Sequence, residues 1–128
     1  MASLADVARL ALALPETDER ADQAGLRSWV VRKLMFVWER PLRKSDLVVL
    51  GDLAPSGPII GVRVADLEEK QALLESEPGY CFTTPHFDGY SAVLVSLDKI
   101  DSTALSELIN DAWLARAPKR LAAAFLAR

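Results

Sequence analysis

One histidine stands in the whole chain, His86. It sits in Phe82-Thr83-Thr84-Pro85-His86-Phe87-Asp88-Gly89-Tyr90, just before the apolar run Ser91–Leu97. In extended backbone, side chains at i and i+2 point the same way, and Pro85 steers Thr84 toward that conformation. Asp88 could then orient the His86 ring as a general base, with the Thr83 or Thr84 hydroxyl beside it. The competing reading is a turn, in which Asp88-Gly89 supplies the backbone conformation and Asp88 bonds nearby amides. No second histidine, nucleophile elbow or glycine-rich loop supports catalysis. The expectation is therefore a non-enzymatic protein whose candidate ligand loop carries Thr84, His86, Asp88 and Tyr90.

Cys81 is the single cysteine, which excludes an internal disulfide and a multi-cysteine zinc site. Between Tyr80 and Phe82 it reads as a small buried hydrophobe, with no cationic neighbour to favour a thiolate. Cys81 and His86 supply only two metal ligands, and Glu16, Asp18, Glu19 and Asp22 read as a solvated loop. No metal or cofactor is expected.

Fifteen basic and 18 acidic residues leave a net charge of −3, so the molecule as a whole does not attract polyanions. The charge is uneven, however. Arg27, Arg32, Lys33, Arg40, Arg43 and Lys44 face only Glu39 in their part of the chain, while acids gather in Glu16–Asp22 and Asp66–Glu77. Arg116, Lys119, Arg120 and Arg128 form a smaller basic group at the end. A basic β-ribbon fits the major groove or follows a phosphate backbone, which makes the first six cations candidate nucleic-acid contacts. The alternative is a solvated face neutralised by the acidic Asp66–Glu77 segment. Trp29, Trp38 and Trp113 invite the same weighing between stacking on bases and core packing, and packing suits at least two of them.

The elements that must position these groups follow from periodicity. Ser3 and Asp6 resemble a capping box ahead of Leu4, Val7, Ala8, Ala11 and Leu14 at helical spacing, and Pro15 stops that helix. Glu16–Gly25 reads as a loop. Ser28–Val31 and Leu34–Trp38 read as a hairpin turning on Arg32-Lys33. Leu42–Leu50 is ambiguous and leans to a short helix. Ile59–Val64 is a strand in which Gly61 permits a bulge or close packing. Asp66 caps a helix to about Glu75 that buries Leu67, Leu73 and Leu74. Ser91–Leu97, apolar on both faces, is a central strand. Asp101 or Ser102 caps a long helix that Pro118 interrupts, and Lys119–Leu126 forms a last helix or a kinked continuation.

The expected fold is one two-layer α+β domain over residues 1–128, with an antiparallel sheet of about four strands and helices on one face. The N-terminus lacks a basic leader and no run reaches the ~20 apolar residues of a membrane span, so the chain reads as cytoplasmic.

Together these segments resemble the MmcQ/YjbR family of small bacterial proteins. The resemblance rests on Leu14-Pro15-Glu16, the hairpin Trp29–Phe36, Gly61-Val62-Arg63-Val64 and the turn Thr84–Tyr90. It extends to Leu108–Trp113 and Ala117-Pro118-Lys119-Arg120. It implies a compact α+β domain similar to frataxin-like and secretion-chaperone-like proteins, and a DNA-binding label with a basic hairpin turn that Arg32-Lys33 matches. Ala112-Trp113 stands where many members carry Ser-Tyr, and the family supplies no catalytic residues to carry over. Two partners follow: DNA held by the basic hairpin, or a protein or small molecule held at the sheet face or the His86 loop. A monomer is expected.

Overall fold

The computed structural model describes residues 1–128. Helix α1 (Leu4–Leu12) starts at Ser3, whose hydroxyl accepts from the Asp6 amide while the Asp6 carboxylate accepts from the Ser3 amide. This reciprocal cap satisfies two amides that a helix start leaves free, and such caps contribute about 1 kcal/mol.

Strand β1 (Thr17–Ala21) follows, in the stretch expected to be a loop. Its sequence, Thr-Asp-Glu-Arg-Ala, shows no apolar alternation because four of its five residues are exposed at a sheet edge. Pairing with β2 (Arg27–Val31), from Thr17↔Val31 to Ala21↔Arg27, is what makes it a strand. Tertiary context overrides local preference there.

Strands β2 and β3 (Leu34–Glu39) form the expected hairpin, with Arg32 and Lys33 at φ of 48° and 72°. Both are left-handed, as a two-residue hairpin turn requires, although neither is glycine or asparagine. Helix α2 (Lys44–Leu50), strand β4 (Ile59–Arg63) and helix α3 (Leu67–Ser76) come next. Strand β5 (Cys81–Phe82), too short to show a period, precedes β6 (Ala92–Ser96), α4 (Ser102–Arg116) and α5 (Lys119–Ala127). With β1 and β5 the sheet has six strands rather than about four, all antiparallel, in the order β1-β2-β3-β4-β6-β5.

Helices α1 and α4 cover one face, over Trp29, Val37, Ile60, Val62, Val93 and Val95. Two tryptophans belong to this core, and each indole N–H is satisfied. Trp113 Nε1 donates to the Pro15 carbonyl at 3.0 Å, tying α4 to the end of α1, and Trp29 Nε1 donates to Glu19 at 3.0 Å. Leu73 and Leu74 of α3 touch the same core, but Leu67 is exposed. It lies in the first turn of α3, and the helix instead buries Lys70.

The opposite face is only partly covered, and not by solvent alone as one helical layer would leave it. Ile59, Phe87 and Leu94 form a second cluster there, with Trp38, Leu42 and Phe82 against it. Trp38 faces Gly61 across the β3–β4 pair, where a Cβ would lie 2.2 Å from the indole. The close packing that Gly61 permits is therefore contact with this ring.

Candidate ligand-binding cleft

The segment after β5 does not stay extended. Pro85–Phe87 forms a single 3-10 turn, so His86 and Asp88 lose the shared direction that a general-base pair would need, and no hydrogen bond joins them. Phe87 is the residue that turns inward, into the second cluster, and the exposed His86 ring packs edge-on against it at 5.0 Å. Lys70 holds the turn from below: its buried ammonium donates to the Phe87 carbonyl at 2.6 Å and to the Tyr90 carbonyl at 2.9 Å. Burial pulls that ammonium below the ordinary lysine range, and nearby Asp88 partly offsets it.

The basic group divides. Arg27 donates to Glu39 through its backbone amide at 2.6 Å and through Nε at 3.3 Å, and its guanidinium lies over the Trp29 ring. Arg32 pairs with Glu16, which the edge strand brings alongside the hairpin turn, through Nε and through Nη2 at 3.1 Å. That hydrogen bond lowers the Glu16 carboxyl and raises the Arg32 guanidinium. Arg40 is buried rather than presented to solvent: Nη1 donates to the Asp46 carboxylate at 3.0 Å and to the Pro41 carbonyl, and the group lies 5.3 Å from the Phe87 ring. It cannot reach a phosphate backbone. Only Lys33, Arg43 and Lys44 of the six are exposed without a carboxylate in ion-pair range.

Asp46 shows why Arg40 turns inward. Burial alone would raise its carboxyl, but the Arg43 amide at 2.8 Å and the Arg40 guanidinium outweigh burial and hold it below the usual aspartate value. The buried Thr84 hydroxyl adds to this from beyond hydrogen-bond geometry, since it has no partner within that range. Asp46 thus joins the start of α2 to the end of β3.

A cleft of about 490 Å³ opens on the partly covered face, between the β1–β2 turn, the base of the β2–β3 hairpin and the 86–90 segment. It gathers Arg27, Arg40 and Arg43 from the basic group with His86 and Tyr90 from the loop. Arg32, Lys33, Lys44, Thr84 and Asp88 lie outside its lining. Arg20, Trp38 and Phe87 are part of it as well, and the first was missed because β1 reads as a loop. The Arg20 and Arg43 side chains are exposed, and neither guanidinium lies within 4.0 Å of a carboxylate. Tyr90 is set at the mouth by the Arg63 guanidinium, 4.9 Å from its ring.

Other reactive groups are quiet. Burial, with the Glu77 charge adding to it, pushes the Cys81 thiol up to about 12, the value of an inert core thiol. No three His, Cys, Asp or Glu side chains come together to hold a metal ion. No helix is long and apolar enough to cross a membrane.

The molecule is thus an antiparallel α+β domain with one helical layer and a cleft on the other face of its sheet. Its sequence relationships agree. The chain belongs to the YjbR family, whose model matches residues 12–115. It is 53% identical over 130 residues to the uncharacterized proteins Rv2570 of Mycobacterium tuberculosis and Mb2600 of Mycobacterium bovis, covering 99% of this chain and 98% of each relative. Among solved structures, Deinococcus radiodurans protein DR2400, with the family-model domain DUF419, is similar at a TM-score of 0.65 and 18% identity. That match covers 89% of this chain and 78% of that one. At such identity the likeness speaks to the fold.

Proposed function

We propose that this protein is a non-catalytic binding domain that takes an anionic ligand with a flat or apolar body into the cleft. One observation carries the reading: two arginines without carboxylate partners, Arg20 and Arg43, flank a wall of Trp38, Phe87, His86 and Tyr90. With Arg40 cancelled by Asp46, Arg20, Arg27 and Arg43 against Asp22 and Glu39 give the lining a net charge of +1 on a chain of net −3. Apolar walls with a few convergent polar groups are the usual make-up of a small-molecule site. The 3-10 turn at Pro85–Phe87, with no hydrogen bond from His86 to Asp88, supports binding rather than proton transfer.

A second reading keeps duplex DNA on the hairpin. It is favoured by the turn itself, where two non-glycine residues hold left-handed backbone, at a cost of about 1–2 kcal/mol each, that Asn-Gly would avoid. With only Lys33, Arg43 and Lys44 free, the log–log salt slope would be about −3.

One set of titrations separates the two. Trp38 is the half-exposed tryptophan and Trp29 and Trp113 are fully buried, so cleft occupancy reads out as a change in Trp38 emission. Phenyl phosphate as probe is expected to bind saturably, with affinity reduced about tenfold or more in Arg20→Ala and Arg43→Ala. No saturable change, or binding indifferent to both substitutions, refutes the cleft. Labelled duplex DNA at two salt concentrations, compared with Arg32→Ala/Lys33→Ala, tests the hairpin: salt-dependent binding lost in that variant favours DNA.

A further inference from the structure

Strand β1 is paired on one side only. The Asp22 amide donates to the Leu26 carbonyl, and the Arg27 amide points away from β1 to Glu39. Antiparallel alternation then turns the backbone groups of Asp18 and Arg20 toward β2 and leaves those of Thr17, Glu19 and Ala21 facing outward. Most charges along this edge are engaged. Glu16 holds Arg32, Glu19 accepts from the Trp29 indole, and Asp22 accepts from the Ala24 and Leu26 amides. Asp18 and Arg20 are exposed, opposite in sign, without partners, and two residues apart on one face of the strand.

We infer that β1 is a self-complementary edge through which a second copy of this chain pairs, antiparallel about Glu19. In that register Thr17 meets Ala21 of the second copy and Glu19 meets its counterpart, so outward amides and carbonyls form hydrogen-bonded pairs. Asp18 and Arg20 then face each other twice over, by symmetry, at the non-hydrogen-bonded positions where side chains approach most closely. The alternatives fail. A one-residue slip sets outward groups against inward ones, and a two-residue slip sets Asp18 against Asp18 or Arg20 against Arg20. The Glu19 carboxylates meet across the axis, but Oε1 of each is turned to its own Trp29 indole. Charged edges ordinarily block edge-to-edge pairing; here backbone alternation and like charges disfavour the neighbouring registers and leave the one centred on Glu19. A monomer, the expectation from sequence, is the alternative that the mass measurement tests. A five-residue edge buries little surface, which places the association in the weak range.

The test is molecular mass by sedimentation equilibrium at low salt, from about 10 μM to about 1 mM, with amide exchange measured at both ends. The mass should rise from one chain toward two, and exchange at Thr17, Glu19 and Ala21 should slow with concentration. Asp18→Arg and Arg20→Asp should each weaken association about tenfold, and the double swap D18R/R20D should restore it. A single-chain mass throughout, or association that both single swaps leave unchanged, overturns the inference. Arg20 also lines the cleft, so pairing and ligand compete for it: D18R should lose pairing yet keep saturable phenyl phosphate binding, and loss of the latter alone counts against the cleft.

Discussion

Alanine at Gly61 should disturb the cleft from beneath. Gly61 lies in β4 opposite Trp38, and its backbone is not left-handed, so the main chain accepts alanine. The side chain does not fit, however. A Cβ would stand 2.2 Å from Trp38 Cε2, 2.4 Å from Cζ2 and 2.6 Å from Nε1. Carbon atoms rest at about 3.5–4.0 Å, so the indole must withdraw by roughly 1.5 Å. Overpacking of that kind costs about 1–3 kcal/mol, and replacing a strand glycine returns about 0.5–1 kcal/mol. The expected net loss is about 1–2 kcal/mol in urea unfolding, with Trp38 emission shifted toward that of a solvated indole. In a Trp38→Leu background the clash is absent, and Gly61→Ala should be neutral or slightly stabilising. Equal destabilisation in both backgrounds would refute the contact as its cause, and so would parental stability and emission in the single variant.

Asp46→Ala should cost about 3–5 kcal/mol, because it strands the buried Arg40 guanidinium as well as removing the acceptor of the Arg43 amide. Thermal unfolding near neutral pH measures it. Because the folded-state pKa of Asp46 lies below its usual 3.8, its contribution is complete above that value and is lost as pH falls through the lower folded one. Asp46→Asn should therefore flatten the acid limb of the stability profile. Lys70→Met removes two charge-assisted hydrogen bonds to the 87–90 turn while relieving a desolvated cation. It should cost about 1–3 kcal/mol and speed amide exchange at Phe87 and Tyr90 more than in the strands, as measured residue by residue.

Elements that bury an apolar face were legible before the structure. Helix α1 with its cap, the β2–β3 hairpin, β4, β6 and α4 all announce themselves by period or capping residue. The edge strand β1 was not, because exposure leaves no reason for apolar alternation and only its partner defines it. The inward turn of Phe87 was equally hidden. Pro85 argues for extended backbone locally, and the preference yields to an aromatic ring entering the cluster of Ile59 and Leu94. The candidate site was half legible for the same reason: Arg27, Arg40, Arg43, His86 and Tyr90 could be singled out, but not that they share one cleft.

The missed edge strand also decides the meaning of the basic hairpin. Linear charge counting sets its cations against Glu39 alone, whereas β1 folds Glu16, Asp18, Glu19 and Asp22 alongside them. Arg32 is cancelled by a carboxylate 16 residues away, and Arg40 by one that α2 carries inward. What distinguishes a binding cation from a structural one is then whether a carboxylate lies in reach. By that criterion the free arginines among residues 16–44 are Arg20 and Arg43, which both line the cleft, and beyond them the hairpin turn keeps Lys33 and the start of α2 keeps Lys44. A polyanion lying along the finger would meet scattered lysines, while a compact anion in the cleft would meet two unpaired guanidinium groups in a lining that also holds aromatic rings. Fork-shaped donors bind carboxylate or phosphate in two-point contacts that lysine cannot make, so the surviving charge favours the small ligand over the duplex.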